Sequence, residues 1–237
     1  GVDVAAISKA IRTVSPDCFI IVDGIQHAAH GLMDIESYGI DGYVISPYKM
    51  FSRHGYGVAW VSDRLTDLSH EQLNGGPTQN WDLGTRDTGS YATMSDVVNY
   101  LEWLGSELSD ATERRTKLFV AGQAIKAQEK ILTDTILLGK DNLRGVSELD
   151  GVEILGGVDN PLREGLVSLR IQEMPSTDLV TALRTYNIRA HVRKDDHYSG
   201  NILTPLGWSD CVRISLCHYN TTAEAKSLLS AMAKIVR

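Results

Sequence analysis

Lys49 closes the segment Gly42-Tyr-Val-Ile-Ser-Pro-Tyr-Lys49, directly after a run apolar enough to be a buried strand. It follows Asp23 of Ile20-Ile-Val-Asp-Gly-Ile-Gln26 by 26 positions. A lysine amine can hold a carbonyl cofactor as a Schiff base, and a carboxylate ending a neighbouring strand can keep a pyridine nitrogen protonated. Together these residue types make the electron sink of pyridoxal 5'-phosphate chemistry. Such a site needs three more functions: a donor beside the phenolic oxygen, hydroxyls or amides for the phosphate, and a cation for a substrate carboxylate. Gln26, Ser46 with Thr85, and Arg213 are of the right types. Local spacing by itself supports only Lys49, Asp23 and Gln26.

Each residue also has an ordinary reading. Lysines after strands are usually solvated, Asp-Gly pairs usually make turns, and an arginine in an apolar strand is usually held by a structural ion pair. Ser46-Pro-Tyr-Lys49 matches the Ser-x-x-Lys of serine acyl-transfer enzymes, but their Ser-Asp-Asn and Lys-Thr-Gly segments are missing. His27 and His30 have the spacing of metal ligands without a Cys or carboxylate cluster beside them. Arg193-Lys194-Asp195-Asp196 reads as a solvated loop, and His197 after it as a residue facing a pocket.

The elements that position these residues follow from periodicity. Val4, Ile7, Ile11 and Val14 predict a helix ended by Pro16, and the apolar run Cys18 to Val22 predicts a buried strand ending at Asp23. Met33 to Tyr38 reads as a short helix, and Gly42 to Ser46 and Gly57 to Val61 read as strands. This alternation implies an α/β fold, a mostly parallel sheet covered by helices, with ligands at the carboxyl ends of the strands. Asp23, Ser46 and Lys49 fall at those ends. Leu65 to Arg86, rich in Gly, Pro, Asn, Asp and Thr, reads as a long loop that covers a site or reaches a partner.

Helices are expected at Ala92 to Leu104 and from Ala111 to about Leu138. Beyond Gly145 come strands at Val152 to Leu155, Leu166 to Ile171, Ile188 to Val192 and Cys211 to Leu216. Helices at Thr177 to Tyr186 and Thr222 to Val236 complete a small α+β domain. Thr221-Thr-Ala-Glu224 has the capping-box pattern that opens a helix. The expected division is 1–108 for the large-domain part, 109–144 for a linking helix and 145–237 for the small domain.

The totals narrow the function classes. A chain of 237 residues with 43% apolar residues can bury a sizeable core. A net charge of -7 gives no general attraction for nucleic acid or an anionic membrane surface, and no apolar run approaches the roughly 20 residues that span a bilayer. Cys18, Cys211 and Cys217 are dispersed like free thiols of a reducing compartment, so the cytoplasm is the expected location. A start at Gly1 without an initiating Met leads to the expectation of the C-terminal part of a longer enzyme, a cleaved product, or one half of a split protein whose partner is a separate N-terminal half.

At these residues the chain resembles the class V aminotransferases. That fold-type I pyridoxal phosphate family includes cysteine desulfurases, isopenicillin N epimerase-like enzymes and kynureninase. The resemblance runs through nearly the whole chain. Val22-Asp-Gly-Ile-Gln26, Ser46-Pro-Tyr-Lys49, Gly55-Tyr-Gly57, Leu83-Gly-Thr85 and Val212-Arg-Ile-Ser-Leu-Cys-His-Tyr-Asn-Thr221 carry it. They are similar in order and spacing to the family's Asp-Gly-x-Gln, Ser-x-His-Lys, Gly-x-Gly, Gly-Thr-Pro and Arg-x-Ser-x-x-x-Tyr-Asn-Thr motifs.

The resemblance implies that Asp23 pairs with the pyridine nitrogen, Gln26 meets the phenolic oxygen, Ser46 meets the phosphate and Lys49 forms the Schiff base. Gly84 and Thr85 would reach the phosphate of a neighbouring subunit, which implies a homodimer with shared sites. Arg213 would hold the α-carboxylate of an amino-acid substrate, with His197 nearby. Tyr48 stands where the family has His and would bind the cofactor in its place, since its hydroxyl can still donate a hydrogen bond; Arg86 stands where the family has Pro. Tyr198, 15 positions before Arg213, stands where desulfurases with a histidine-cysteine pair carry their catalytic cysteine, and a tyrosine cannot accept sulfur as a persulfide. The implied activity is Cα deprotonation of an amino acid, aminotransferase-like. A C–S lyase or epimerase of the same family is the alternative, and a non-catalytic dimerisation or binding module is the reading from another class.

Overall fold

In the computed structural model the described residues are 1–77 and 80–236, and they divide into two units, Gly1–Ala124 and Ile125–Arg237. In the first unit, helix α1 (Val4–Val14) opens on Asp3, whose carboxylate accepts from the Ala6 amide at 2.9 Å. Strand β1 (Ile21–Asp23), helix α2 (Ile35–Tyr38), strand β2 (Gly42–Ile45) and strand β3 (Val58–Val61) follow. The strands form one sheet in the order β1-β2-β3, with β1 parallel to β2 and β2 antiparallel to β3. The α/β class is as expected, but the expected mostly parallel sheet is a mixed one among the described residues.

Ile20, Ile40, Tyr43, Ile45, Met50 and Val97 make the core of this unit. Its amino-terminal edge is tied by a buried carboxylate. Asp41, directly before β2, is 3% exposed, accepts from the Ile20 amide at 2.9 Å, and pairs with Arg12 at 2.8 Å and Arg64 at 3.0 Å. Burial alone would raise its pKa, but the Ile20 amide and the two guanidiniums outweigh that and hold it below the usual carboxylate range.

Helix α3 (Asp63–Thr66) takes the start of the predicted loop, and no regular element occurs among the described residues from Asp67 to Asp87. Thr78 and Gln79 of that loop lie outside the described residues. Helix α4 (Thr88–Leu108) begins earlier than its apolar pattern, because the Asp87 carboxylate caps the Ser90 amide. Helix α5 (Arg114–Leu138) has its first half in the first unit. There Gly105 lets α4 approach it closely: a Cβ at that position would come within 2.0 Å of the Lys117 carbonyl oxygen. No helix among the described residues is long and apolar enough to cross a membrane.

The second unit continues α5 into a hairpin of β4 (Gly139–Lys140) and β5 (Leu143–Arg144). Asp141 and Asn142 turn this hairpin with positive φ of 52° and 67°, the pattern of a two-residue turn. Strands β6 (Val152–Ile154) and β7 (Leu166–Ile171), helix α6 (Ser176–Thr185), strand β8 (His191–Lys194), helix α7 (Gly200–Leu203), strand β9 (Asp210–Ser215) and helix α8 (Thr222–Ile235) complete the unit. The four longer strands form an antiparallel sheet in the order β6-β7-β9-β8. Val167, Leu169, Val212 and Ile214 enter a core with Leu132, Ile136, Leu179, Leu183, Leu229 and Met232. Each such side chain contributes about 1.5–3 kcal/mol by leaving water. The capping box of Thr221 and Glu224 forms as predicted.

Candidate functional site

Parallel strands put their carboxyl ends on the same edge of a sheet, and β1 and β2 do so with Asp23 beside Val44. The register is pinned by the Gly24 amide, which donates to the Val44 carbonyl at 2.9 Å. Gly24 cannot be replaced without disturbance: a Cβ there would stand 2.1 Å from the Tyr43 ring. The glycine of Asp23-Gly24 is thus demanded by the aromatic ring beside it. Asp23 itself is exposed, and its carboxylate accepts only the Ile25 amide of its own turn, at 3.1 Å. Gln26 is exposed and leads into a single helical turn, His27–Ala29.

Past β2, Ser46 leads into a second tight turn, Pro47–Met50, with the Lys49 amide donating to the Ser46 carbonyl at 3.0 Å. Proline suits the first position of such a turn because its missing N–H would have no partner there. Phe51 ends the turn in the left-handed region at φ 71°, a conformation that costs a non-glycine residue about 1 kcal/mol. Lys49 is half-buried, with Nζ 5.5 Å from the centroid of the Tyr48 ring. That ring stacks in turn on His54 at 4.2 Å. The turns after β1 and β2 pack against each other.

The two ends of this sheet differ in how their polar groups are used. At the amino end, the Asp41 carboxylate is fully occupied by structural partners. At the carboxyl end, among the described residues, Asp23 and Lys49 have no ion pair, and the side chains of Gln26 and Ser46 have no hydrogen bond. A carboxylate, an amide, a hydroxyl and an amine left uncommitted on one strand edge are the donor set that pyridoxal phosphate requires, so the residues present fit that group. The serine acyl-transfer pattern lacks its setting, since Ser46 precedes a four-residue turn and not a helix. No group of His, Cys, Asp or Glu able to hold a metal occurs among the described residues, His27 and His30 included.

Gly84 and Thr85 are exposed in the segment without regular structure, beside the Arg86–Asp82 ion pair. Among the described residues they make no hydrogen bond to Asp23, Gln26, Ser46 or Lys49. Arg53 lies nearer the start of α4, paired with Asp87 at 2.9 Å.

In the second unit, Arg213 of β9 stands opposite Ser168 of β7 and His191 of β8. No ion pair holds it among the described residues, so the ordinary reading of such an arginine as half of a structural salt bridge finds no partner there. Its Nε is shielded from solvent and has no acceptor. Burial, and after it the charge of Arg193, lowers its pKa. A guanidinium kept in this state is suited to a carboxylate supplied from outside.

Strand β8 begins and ends later than its apolar run, because Arg193 and Lys194 pair with Cys211 and Asp210 of β9. Arg193 is therefore a strand residue and not part of a solvated loop. His197 is exposed on the turn that follows, its ring 4.0 Å from that of Tyr198. Asp196 shapes this turn by accepting the Tyr198 and Ser199 amides at 2.9 and 3.3 Å. Tyr198 is 76% exposed. Cys211 is buried against Leu203 and Trp208, and its thiol pKa is raised by burial. Burial pushes the Cys217 thiol up to about 11. Burial disfavours the thiolate form of both.

The chain is similar to proteins of one family. The family model described as Aminotransferase class-V matches residues 2–228. A probable cysteine desulfurase from Borreliella burgdorferi is 25% identical over 223 residues, 92% of this chain and 51% of that protein. An aminotransferase-like protein from Gibberella zeae is 24% identical over 241 residues, 99% of this chain and 55% of that protein. Among solved structures, a cysteine desulfurase from Thermococcus onnurineus NA1 matches with a TM-score of 0.78 at 20% identity, over 98% of this chain and 56% of its own. The cysteine desulfurase CsdA of Escherichia coli matches with a TM-score of 0.70 at 21% identity, over 96% and 54%. The chain spans about half the length of these relatives. By the extent of the family match, this chain belongs to the aminotransferase class-V family.

Proposed function

We propose that this chain carries the lysine-bearing part of a pyridoxal-phosphate-dependent enzyme acting at the Cα of an amino acid. The observation that carries the proposal is the uncommitted set of Asp23, Gln26, Ser46 and Lys49 on one strand edge, in a chain of this family. When bound, pyridoxal phosphate supplies a sink for the electron pair left on Cα. Lys49 anchors the cofactor through Nζ and, once released, takes the Cα proton on the same atom. Asp23 holds a proton on the ring nitrogen, Gln26 meets the phenolic oxygen and Ser46 the phosphate. Tyr48, its ring stacked on His54, meets the cofactor beside Lys49.

Arg213 binds the carboxylate of the amino acid, and His197 meets the substrate from the turn after β8. Gly84 and Thr85 serve the phosphate of a second copy, so the working form is a homodimer. Aminotransferase-like chemistry is favoured because Tyr198 occupies the position of a sulfur-accepting cysteine and the two cysteines near Arg213 are buried. The relatives named cysteine desulfurases favour C–S cleavage as the second reading. Three free thiols fit a cytoplasmic protein, and the acidic charge fits neither nucleic acid nor an anionic membrane.

The test is the visible spectrum of the purified protein with added pyridoxal phosphate. A band near about 420 nm that is lost in Lys49→Ala is expected. Identical spectra for the two proteins would favour a non-catalytic binding module.

A further inference from the structure

The sheet face of the second unit turned away from its core carries more positive charge than the chain neutralises. Along the strands the core residues Val167, Leu169, Val212 and Ile214 alternate with Ser168, Arg170, Arg213 and, on β8, His191 and Arg193. One cation of this face is fully used. Arg170 donates to Glu153 at 2.9 Å, and its guanidinium lies 4.5 Å from the centroid of the Trp208 ring. Arg213 and Arg193 are not used in this way. Among the described residues neither forms an ion pair or a hydrogen bond.

Ser168, Arg213 and His191 lie in register across three adjacent strands, and Arg193 is two residues further along β8 from His191. A hydroxyl, two guanidiniums and an imidazole thus offer donors on one face, and none has an acceptor among the described residues. For Arg213 the deficit is acute, because its Nε is shielded from solvent and water cannot complete it. Asp196, on the turn after β8, accepts the Tyr198 and Ser199 amides through one oxygen and forms no ion pair with Arg193 among the described residues.

A single carboxylate on Arg213 answers one guanidinium and leaves the other. Diagonal cross-strand positions stand roughly 7–8 Å apart, so two arginines anchored there can close on two carboxylates separated by two or three carbons. We infer that this face binds a dianion: the α-carboxylate of the substrate on Arg213 and a side-chain carboxylate on Arg193. The inference rests on the reading of Arg213 as the carboxylate clamp and narrows its substrate from any amino acid to a dicarboxylic one.

The experiment is an NMR-monitored titration of the purified chain at fixed ionic strength with succinate and glutarate, against butyrate and pentanoate. Wild type, Arg193→Gln, Arg193→Lys and Arg213→Gln are compared, each checked for native circular dichroism. The diacids should bind about tenfold more tightly than the monoacids, the worth of one added charge-assisted hydrogen-bonded pair. Arg193→Gln should bring diacid affinity down to that of the monoacids, Arg193→Lys should retain most of the preference, and Arg213→Gln should weaken every acid. Equal affinities in wild type, or a diacid preference that survives Arg193→Gln, overturn the second-anion inference while Arg213-dependent monoacid binding leaves the clamp standing. Binding that is absent, or indifferent to Arg213→Gln, overturns the clamp and the inference together.

Discussion

Replacing Arg213 by Met should make the protein more stable while removing its affinity for carboxylates. An arginine selected for folding would have an acceptor, yet the Nε of Arg213 is shielded from water and has none. A buried donor left unsatisfied costs about 1–3 kcal/mol, and the neighbouring Arg193 charge adds repulsion on the same face. Methionine keeps the aliphatic stem against the strand and discards both penalties. Against this stands some lost packing of the guanidinium, so the expected net gain is about 1 kcal/mol, or about 2–4 °C in the thermal midpoint of a chain this size. The assay is thermal unfolding of both proteins at pH 7, with and without acetate. Wild type should be stabilised by acetate and Arg213→Met should not. A midpoint that falls in Arg213→Met would refute the reasoning, since it would mean that the arginine holds the fold together.

Asp41→Asn should destabilise the protein by about 3 kcal/mol at pH 7, because it leaves Arg12 and Arg64 beside a neutral group. The folded-state pKa of Asp41 is depressed, so its contribution is present above the unfolded carboxylate value of 3.8. It is lost as pH falls through the folded value. The gap between wild type and Asp41→Asn in urea midpoints should therefore be constant near neutrality and close below pH 3.8. Native protein at pH 8 should react with a thiol reagent at Cys18, the partly exposed cysteine, and not at Cys217, whose pKa is about 11. Mass mapping of the labelled peptides checks this, and rapid labelling of Cys217 would reopen a sulfur-transfer role.

Local signals were enough to read much of the fold. The alternation of Leu166 to Ile171 and the Thr221–Glu224 capping box are short-range patterns, and both elements formed where they were expected. Asp23 and Ser46 were legible as strand-end residues because one closes and the other directly follows an apolar run, and Lys49 because it lies in the turn just past one. What escaped is set by pairing between distant segments. Arg193 looked like part of a polar loop, since only its register with Cys211 makes it a strand residue. The row of Ser168, Arg213 and His191 likewise exists only through the registers of β7 and β8 with β9. The β4–β5 hairpin was hidden because each of its strands has only two residues, too few for alternation to show. Asp41, one acid among many by composition, became a hub only when Arg12 and Arg64 reached it from α1 and α3.

Reduction with borohydride after incubation with pyridoxal phosphate, followed by peptide mapping, identifies the lysine that holds the cofactor. A single pyridoxyl adduct is expected on the peptide containing Lys49, formed at stoichiometric cofactor and reduced in yield by Asp23→Asn. Adducts spread over exposed lysines with Lys49 unmodified would contradict it.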